Sequence, residues 1–228
     1  VKELEPTDRE LLTRVPVLPL PEYTLFPNTL VPFHVYEPRF RRMLADCLAD
    51  GRLLVVAALA PGWEHRAEAD VPEVLPVAGL GRVLSDRRYP DGRVDIFVHG
   101  IARVSITGPL AVEPWLAADA RRLPDRSRAA LGTALQRLIA LASRLLAGVG
   151  DEGEPARQLL ASSPDAAVLS NRLAAALVEP FELRQTILEL RCPTARCEAL
   201  FSYLAGRVLE SDEPMGPRDE VSGGWVGH

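Results

Sequence analysis

The chain has 228 residues, 47% of them apolar, enough for a substantial core, and no apolar run approaches the ~20 residues that a membrane-spanning helix needs. Acidic residues outnumber basic ones 31 to 26, for a net charge of −5, which argues against a general binder of nucleic-acid backbone. Lys2 is the only lysine, so a phosphate-loop lysine, a Ser-Lys dyad and Schiff-base chemistry are excluded unless that tail residue supplies them.

The first ten residues, VKELEPTDRE, contain no apolar signal-peptide core, and Cys47, Cys192 and Cys197 are too few for a disulfide framework. A reducing, cytoplasmic setting is expected. Cys192 and Cys197 lack the spacing of a zinc-binding pair, and no cofactor or metal is expected. Val15, Val17, Leu18 and Leu20 lie among Pro16, Pro19 and Pro21, which predicts an extended segment at a sheet edge. Thr29, Val31, Phe33 and Val35 then alternate with Leu30, Pro32 and His34, a period-two strand with the first set facing inward. Pro38 suits a first helical position, Phe40, Met43, Leu44, Cys47 and Leu48 form one stripe, and Gly51 stops the helix. Leu53 to Ala60 reads as a strand buried on both faces, and Trp63 to Glu73 as a polar loop.

Val74–Leu84 and Arg93–Val98 flank Pro90-Asp91-Gly92, a hairpin whose Asp-Gly pair supplies the positive φ of a tight turn. Gly79 and Gly81 inside the first of these strands signal a bulge or a close backbone approach, and Gly100 is read as a break before Ile101, Val104 and Ile106. Trp115 and Leu116 suggest a further strand. Several strands around one helix predict a small coiled β-barrel rather than a parallel α/β sheet. Beyond residue 120, Leu131 to Val149 forms a long helical seam, and Ser163-Pro164-Asp165 opens a helix through Leu177. A short helix carries Leu183, Ile187 and Leu190, and Pro193 opens a last one through Val208, making a four-helix bundle. Residues 211–228 read as a flexible tail.

VPVLPLPEYTLFPNTLVPFHVYEPRFRRML, Val15 to Leu44, resembles the start of the Lon protease N-terminal, substrate-binding domain, with Glu37, Arg39 and Phe40 at its most characteristic positions. GLGRVLSDRRYPDGRVDIFVHGIARVSI resembles the hairpin of that family, with Gly81, Asp91, Gly92, Gly100 and Arg103 as motif residues of structural role. FELRQTILELRCPTARCEALFSYL, Phe181 to Leu204, is similar to its closing helices, with Gln185, Leu188 and Glu189. The resemblance spans about residues 14–207. It implies an α+β protein: a PUA-like β-barrel with one inserted helix at 14–118, followed by a helical bundle at 125–209. The ATPase and protease modules of Lon are missing from the sequence, so a stand-alone Lon-domain protein without enzymatic activity is expected.

Histidines carry no catalytic spacing, and Glu37 and Arg39, two apart, are expected to pair with other elements rather than with each other. The leading expectation is a module that binds unfolded or exposed apolar polypeptide segments weakly, with a protease or chaperone acting in trans as a further partner. Phe26, Leu30, Pro32 and Tyr36 are the candidate peptide-binding residues, because they adjoin proline-interrupted strands. Alternatives are an RNA-binding PUA-like module, disfavoured by the acidic charge and scarce aromatics, and a small hydrolase using His34, Glu37 or Cys47. No membrane partner is expected.

Overall fold

The computed structural model describes residues 11–63, 71–112, 115–126, 132–147 and 165–212, with isolated helical positions between 154 and 160. The expected tail at 211–228 lies outside these residues from 213 onward, as do most of the acidic loop around His65 and the helix opening at Ser163 and Pro164. Six strands are present: β1 (Leu11–Leu20), β2 (Leu30–Val35), β3 (Leu53–Ala58), β4 (Val77–Arg88), β5 (Val94–Ala111) and β6 (Ala117–Arg122). They form one mixed sheet in the order β2-β5-β4-β3-β1-β6, parallel only between β1 and β3. The eighteen-residue β5 carries β2 along its first half and β6 along its second, so the pairings of β5, β4, β3, β1 and β6 close into a circuit.

The structure departs from expectation at β1 and at Gly100. β1 is an interior strand rather than an edge, yet its prolines remain tolerable. β6 accompanies it through Pro16, whereas β3 accompanies it from Val17 onward, so most of its length is bonded on one side only. Gly100 does not break β5. The strand runs through it with a bulge, because Leu80 pairs with Ala102 while Gly81 pairs with Gly100.

The turn at Asp91-Gly92 forms as expected: Gly92 has φ of 86°, its N–H donates to the Tyr89 carbonyl over 2.9 Å, and Asp91 accepts from the Arg93 N–H. The period-two pattern of β2 also holds, with Val35 buried, Val31 and Phe33 half-buried, and Leu30, Pro32 and His34 exposed. Helix α1 (Pro38–Ala49) presents Met43, Leu44 and Cys47 to a core that includes Leu54, Val56, Ile96 and Val98. The inner face of the sheet is filled separately by Val17, Val55, Leu80, Val104 and Ala120.

The second half contains α2 (Gly132–Ala147), α3 (Ala166–Leu177), α4 (Phe181–Glu189) and α5 (Pro193–Asp212). Asp165 caps α3, its carboxylate accepting the Ala167 N–H at 2.8 Å. Leu138 and Ala142 of α2, Leu169 and Leu173 of α3, Ile187 of α4 and Leu200 of α5 close one core.

Phe26 belongs to that helical core although it comes from the β half, and it is 1% exposed. Its neighbour Leu25 belongs to the core beneath α1. The segment before β2 therefore ties the halves together, one side chain to each. Glycine makes room for it: a Cβ on Gly79 would stand 2.2 Å from the Leu25 carbonyl oxygen, and one on Gly100 would stand 2.1 Å from that of Phe26. The strand glycines do mark a close backbone approach. The consequence for Phe26 is a correction, since a residue anchored between α2, α3, α4 and α5 cannot belong to a binding surface.

A buried polar network completes the junction. Arg103 of β5 donates through Nε to the Leu188 carbonyl at 2.7 Å, through a second nitrogen to Asn171 Oδ1, and lies 3.6 Å from Asp125. Arg196, with no exposed surface, forks onto both Asp125 oxygens at 2.8 and 2.9 Å and also reaches Ser170 and the Leu190 carbonyl. Burial, then the like charge of Arg196, depress the Arg103 pKa to about 9, with Asp125 opposing, so the side chain stays a cation at neutral pH. Gln185 adds a bond from α4 to the Val77 carbonyl at 2.9 Å.

Candidate functional site

Because β2 pairs only with β5, its other edge carries no strand among the described residues. Beside its start lies a groove of about 650 Å3, walled by Tyr23, Thr24, Asn28, Thr29, Leu30 and Val31 on one side and by Arg172, Ala175, Ala176 and Arg184 on the other. Helical spacing explains the second wall. Leu169, Leu173 and Ala174 turn into the core, which leaves Arg172, Ala175 and Ala176 facing out, and two alanines keep the cleft open.

The first wall is held in place by short-range chemistry. Asn28 sits at φ 65° and donates its N–H to the Gly100 carbonyl at 2.7 Å, and Thr29 Oγ1 donates to the Phe26 carbonyl at 2.6 Å. Arg172 Nε donates to the Asn28 carbonyl at 3.0 Å, which joins the two walls. Arg184 reaches the Glu22 and Val178 carbonyls over 3.3 and 3.5 Å, while its Nε is buried without a hydrogen bond. Thr24 Oγ1 is likewise buried and unbonded. Burial, then the charges of Arg172 and Arg82, hold the nearby His99 imidazole below its ordinary range.

Of the four residues expected to bind peptide, the structure brings Leu30 and Pro32 to one exposed face of β2, with Leu30 57% exposed and lining the groove. Phe97 lies across from Pro32 and is 47% exposed, and Leu84 beside it is also exposed, so the apolar patch extends over β4 and β5. Sequence reasoning missed Phe97. Its alternation with Ile96 and Val98, and the polar residues Asp95 and His99 in phase with it, carried the signal. Tyr36 is 66% exposed but lines a separate cleft with His34, Tyr89, Arg93 and Asp95.

The residues weighed for hydrolysis do not converge. Cys47 is buried against the core, donates to the Leu53 carbonyl at 3.2 Å, and its thiol is pushed up to about 11, chiefly by desolvation. His34 finds a carboxylate after all, its Nδ1 lying 2.7 Å from Oδ1 of Asp95, its cross-strand partner, but that contact is exposed and the Tyr89 hydroxyl donates to the other Asp95 oxygen at 2.6 Å. Glu37 and Arg39 pair with each other at 2.8 Å, contrary to expectation, because Glu37 is the extended N-cap residue of α1 and its side chain swings toward Arg39 instead of capping the helix. Arg39 also stacks on Phe40. Cys192, just before α5, is held below its ordinary pKa by hydrogen bonds from the Ala195 and Thr194 N–H groups. Among the described residues no cluster of His, Cys, Asp and Glu could hold a metal ion, and no helix is long and apolar enough to cross a membrane.

These features define an α+β protein with a mixed six-stranded sheet, five described helices and an open cleft at the meeting of its halves. The chain belongs to the family described as the ATP-dependent protease La (LON) substrate-binding domain, which matches residues 14–206. Among its relatives are the Lon protease of Desulfovibrio desulfuricans, 29% identical over 88% of this chain and 21% of that protein, and Lon protease 2 of Herpetosiphon aurantiacus, 28% identical over 80% and 23%. The chain spans less than a quarter of the length of each of these two relatives. The fold is shared with the crystal structure of a Lon N-terminal domain protein from Xanthomonas campestris, at TM-score 0.63 and 22% identity over 84% of this chain and 99% of that one. The N-terminal domain of the Mycobacterium avium complex Lon protease gives TM-score 0.64 and 18% identity, over 84% and 97%.

Proposed function

We propose that this protein is a polypeptide-binding module that holds extended, apolar segments of unfolded or partly folded chains along β2 and in the groove beside α3. The observation that carries this reading is that exposed Leu30, flanked on the same face by exposed Pro32 and Phe97, also lines the groove of about 650 Å3. Membership of the Lon substrate-binding family supports it. The closed circuit of strand pairings supports reading the sheet as a PUA-like barrel, with α2 to α5 as a four-helix bundle. The module presents clients to a protease or chaperone, in the same chain or in trans, and performs no chemistry itself. A cytoplasmic setting fits three cysteines that are all free.

Binding is expected to be weak. Apolar burial is worth ~25 cal/mol per Å2 before the segment is ordered, so a few hundred Å2 gives micromolar affinity or weaker. Pro32 has no N–H to offer a docking strand, which limits main-chain pairing at this edge and leaves side-chain contacts dominant. In a titration with a denatured, carboxymethylated model protein, Leu30→Ser is expected to weaken binding roughly tenfold, the loss of ~1.4 kcal/mol of apolar contact. Leu30 is exposed, so the variant should melt as the parent does. Undiminished binding by a folded Leu30→Ser protein would remove the groove from the account.

A further inference from the structure

The groove is chemically one-sided. Its lining includes two arginines, Arg172 and Arg184, and no carboxylate. Two of its polar groups, Thr24 Oγ1 and Arg184 Nε, are buried without a hydrogen-bond partner, and Thr24 is nine-tenths buried. Buried polar atoms in folded proteins are nearly always bonded, and an exception calls for a partner. Among the described residues Arg184 is otherwise held only by two long contacts to carbonyls, and Arg172 spends Nε on Asn28, which leaves its terminal nitrogens for another acceptor.

We propose that this end of the groove, at Thr24, Arg172 and Arg184, binds a carboxylate of the polypeptide, next to an apolar side chain resting on Leu30, Val31 and Ala175. The proposal rests on the peptide-binding reading above and narrows its substrate class to segments in which an acidic group adjoins an apolar residue. A carboxylate accepts only and offers about four lone-pair directions, which complements a set of groups that can all donate; Arg Nε–H and Thr O–H are suited to it, and a lysine or arginine of the segment would be repelled. The carboxylate comes either from an Asp or Glu side chain or from a chain terminus.

The test is fluorescence anisotropy of the full chain with a labelled decapeptide containing a Leu-Val-Leu block. Four forms separate the sources: C-terminally amidated with Asp or with Asn after the block, and ending at the block with a free or an amidated terminus. We expect at least one carboxylate form to bind about tenfold more tightly than its neutral partner. That advantage should fade from 0.05 to 0.5 M salt and disappear in Arg184→Gln, with Thr24→Val reducing it in part while keeping the side-chain shape. An advantage for Asp alone identifies an internal acidic residue, and one for the free terminus alone identifies chain ends. Equal binding of each charged form and its neutral partner, still dependent on Leu30, overturns the carboxylate site and leaves the peptide reading intact. Binding of no form, or binding indifferent to Leu30→Ser, overturns both.

Discussion

Phe26→Ala is expected to lower the free energy of unfolding by about 3–5 kcal/mol, the cost of deleting a fully buried aromatic ring and leaving a cavity. The ring stands in the helical core with Leu138, Leu169 and Leu173, while the preceding Leu25 stands in the core under α1. Losing it therefore loosens the sheet from the helices as well as the helices from one another. Urea unfolding followed by circular dichroism measures the loss, with Leu30→Ala as the control: that residue is 57% exposed and should change stability by less than ~0.5 kcal/mol. Similar losses at both positions would mean that Phe26 is not the anchor described above.

Asp125→Ala is expected to be as damaging, at about 3–5 kcal/mol, for an electrostatic reason. Asp125 receives both terminal nitrogens of the wholly buried Arg196 and lies within ion-pair distance of buried Arg103. Without it, two guanidinium groups stay charged away from water with no counter-ion. A paired replacement separates this cause from general disruption: Asp125→Leu with Arg196→Met removes one of the two stranded charges together with the carboxylate and leaves only Arg103 without its partner. The double variant should be more stable than Asp125→Ala by 1 kcal/mol or more in the same urea titration, and no recovery would contradict the charge argument.

The sequence told most where a residue's role depends on its near neighbours. Alternation placed Leu30 and Pro32 outside and Val35 inside, Asp91-Gly92 announced its turn, and Gly79 and Gly81 announced a bulge or a close approach against their strand, whereas Gly100 pointed to a break and in fact makes the same room. What lies there, the Leu25-Phe26 segment, was illegible, because a loop has no period from which to tell a buried ring from an exposed one. The Arg103–Asp125–Arg196 network was hidden for a similar reason. Asp125 and Arg196 are 71 positions apart, and neither stands out from other charges until the halves are docked. β1 misled because its prolines obey the edge rule on one side at a time, with β6 and β3 taking turns. The groove itself combines an irregular segment with the solvent face of α3. Ala175 and Ala176 read as helix formers and give no hint that their smallness leaves a cleft.

Amide hydrogen exchange of the full chain, with and without a saturating denatured polypeptide, tests the central claim most directly. Extended segments bound beside β2 should slow exchange in residues 23–35 and along 172–176 of α3, and leave the turn around Asp91-Gly92 and helix α1 unchanged. Protection confined to the cleft of Tyr36, Tyr89 and Asp95, or to the arginine-lined hollow between α1 and the β4–β5 turn, would contradict it.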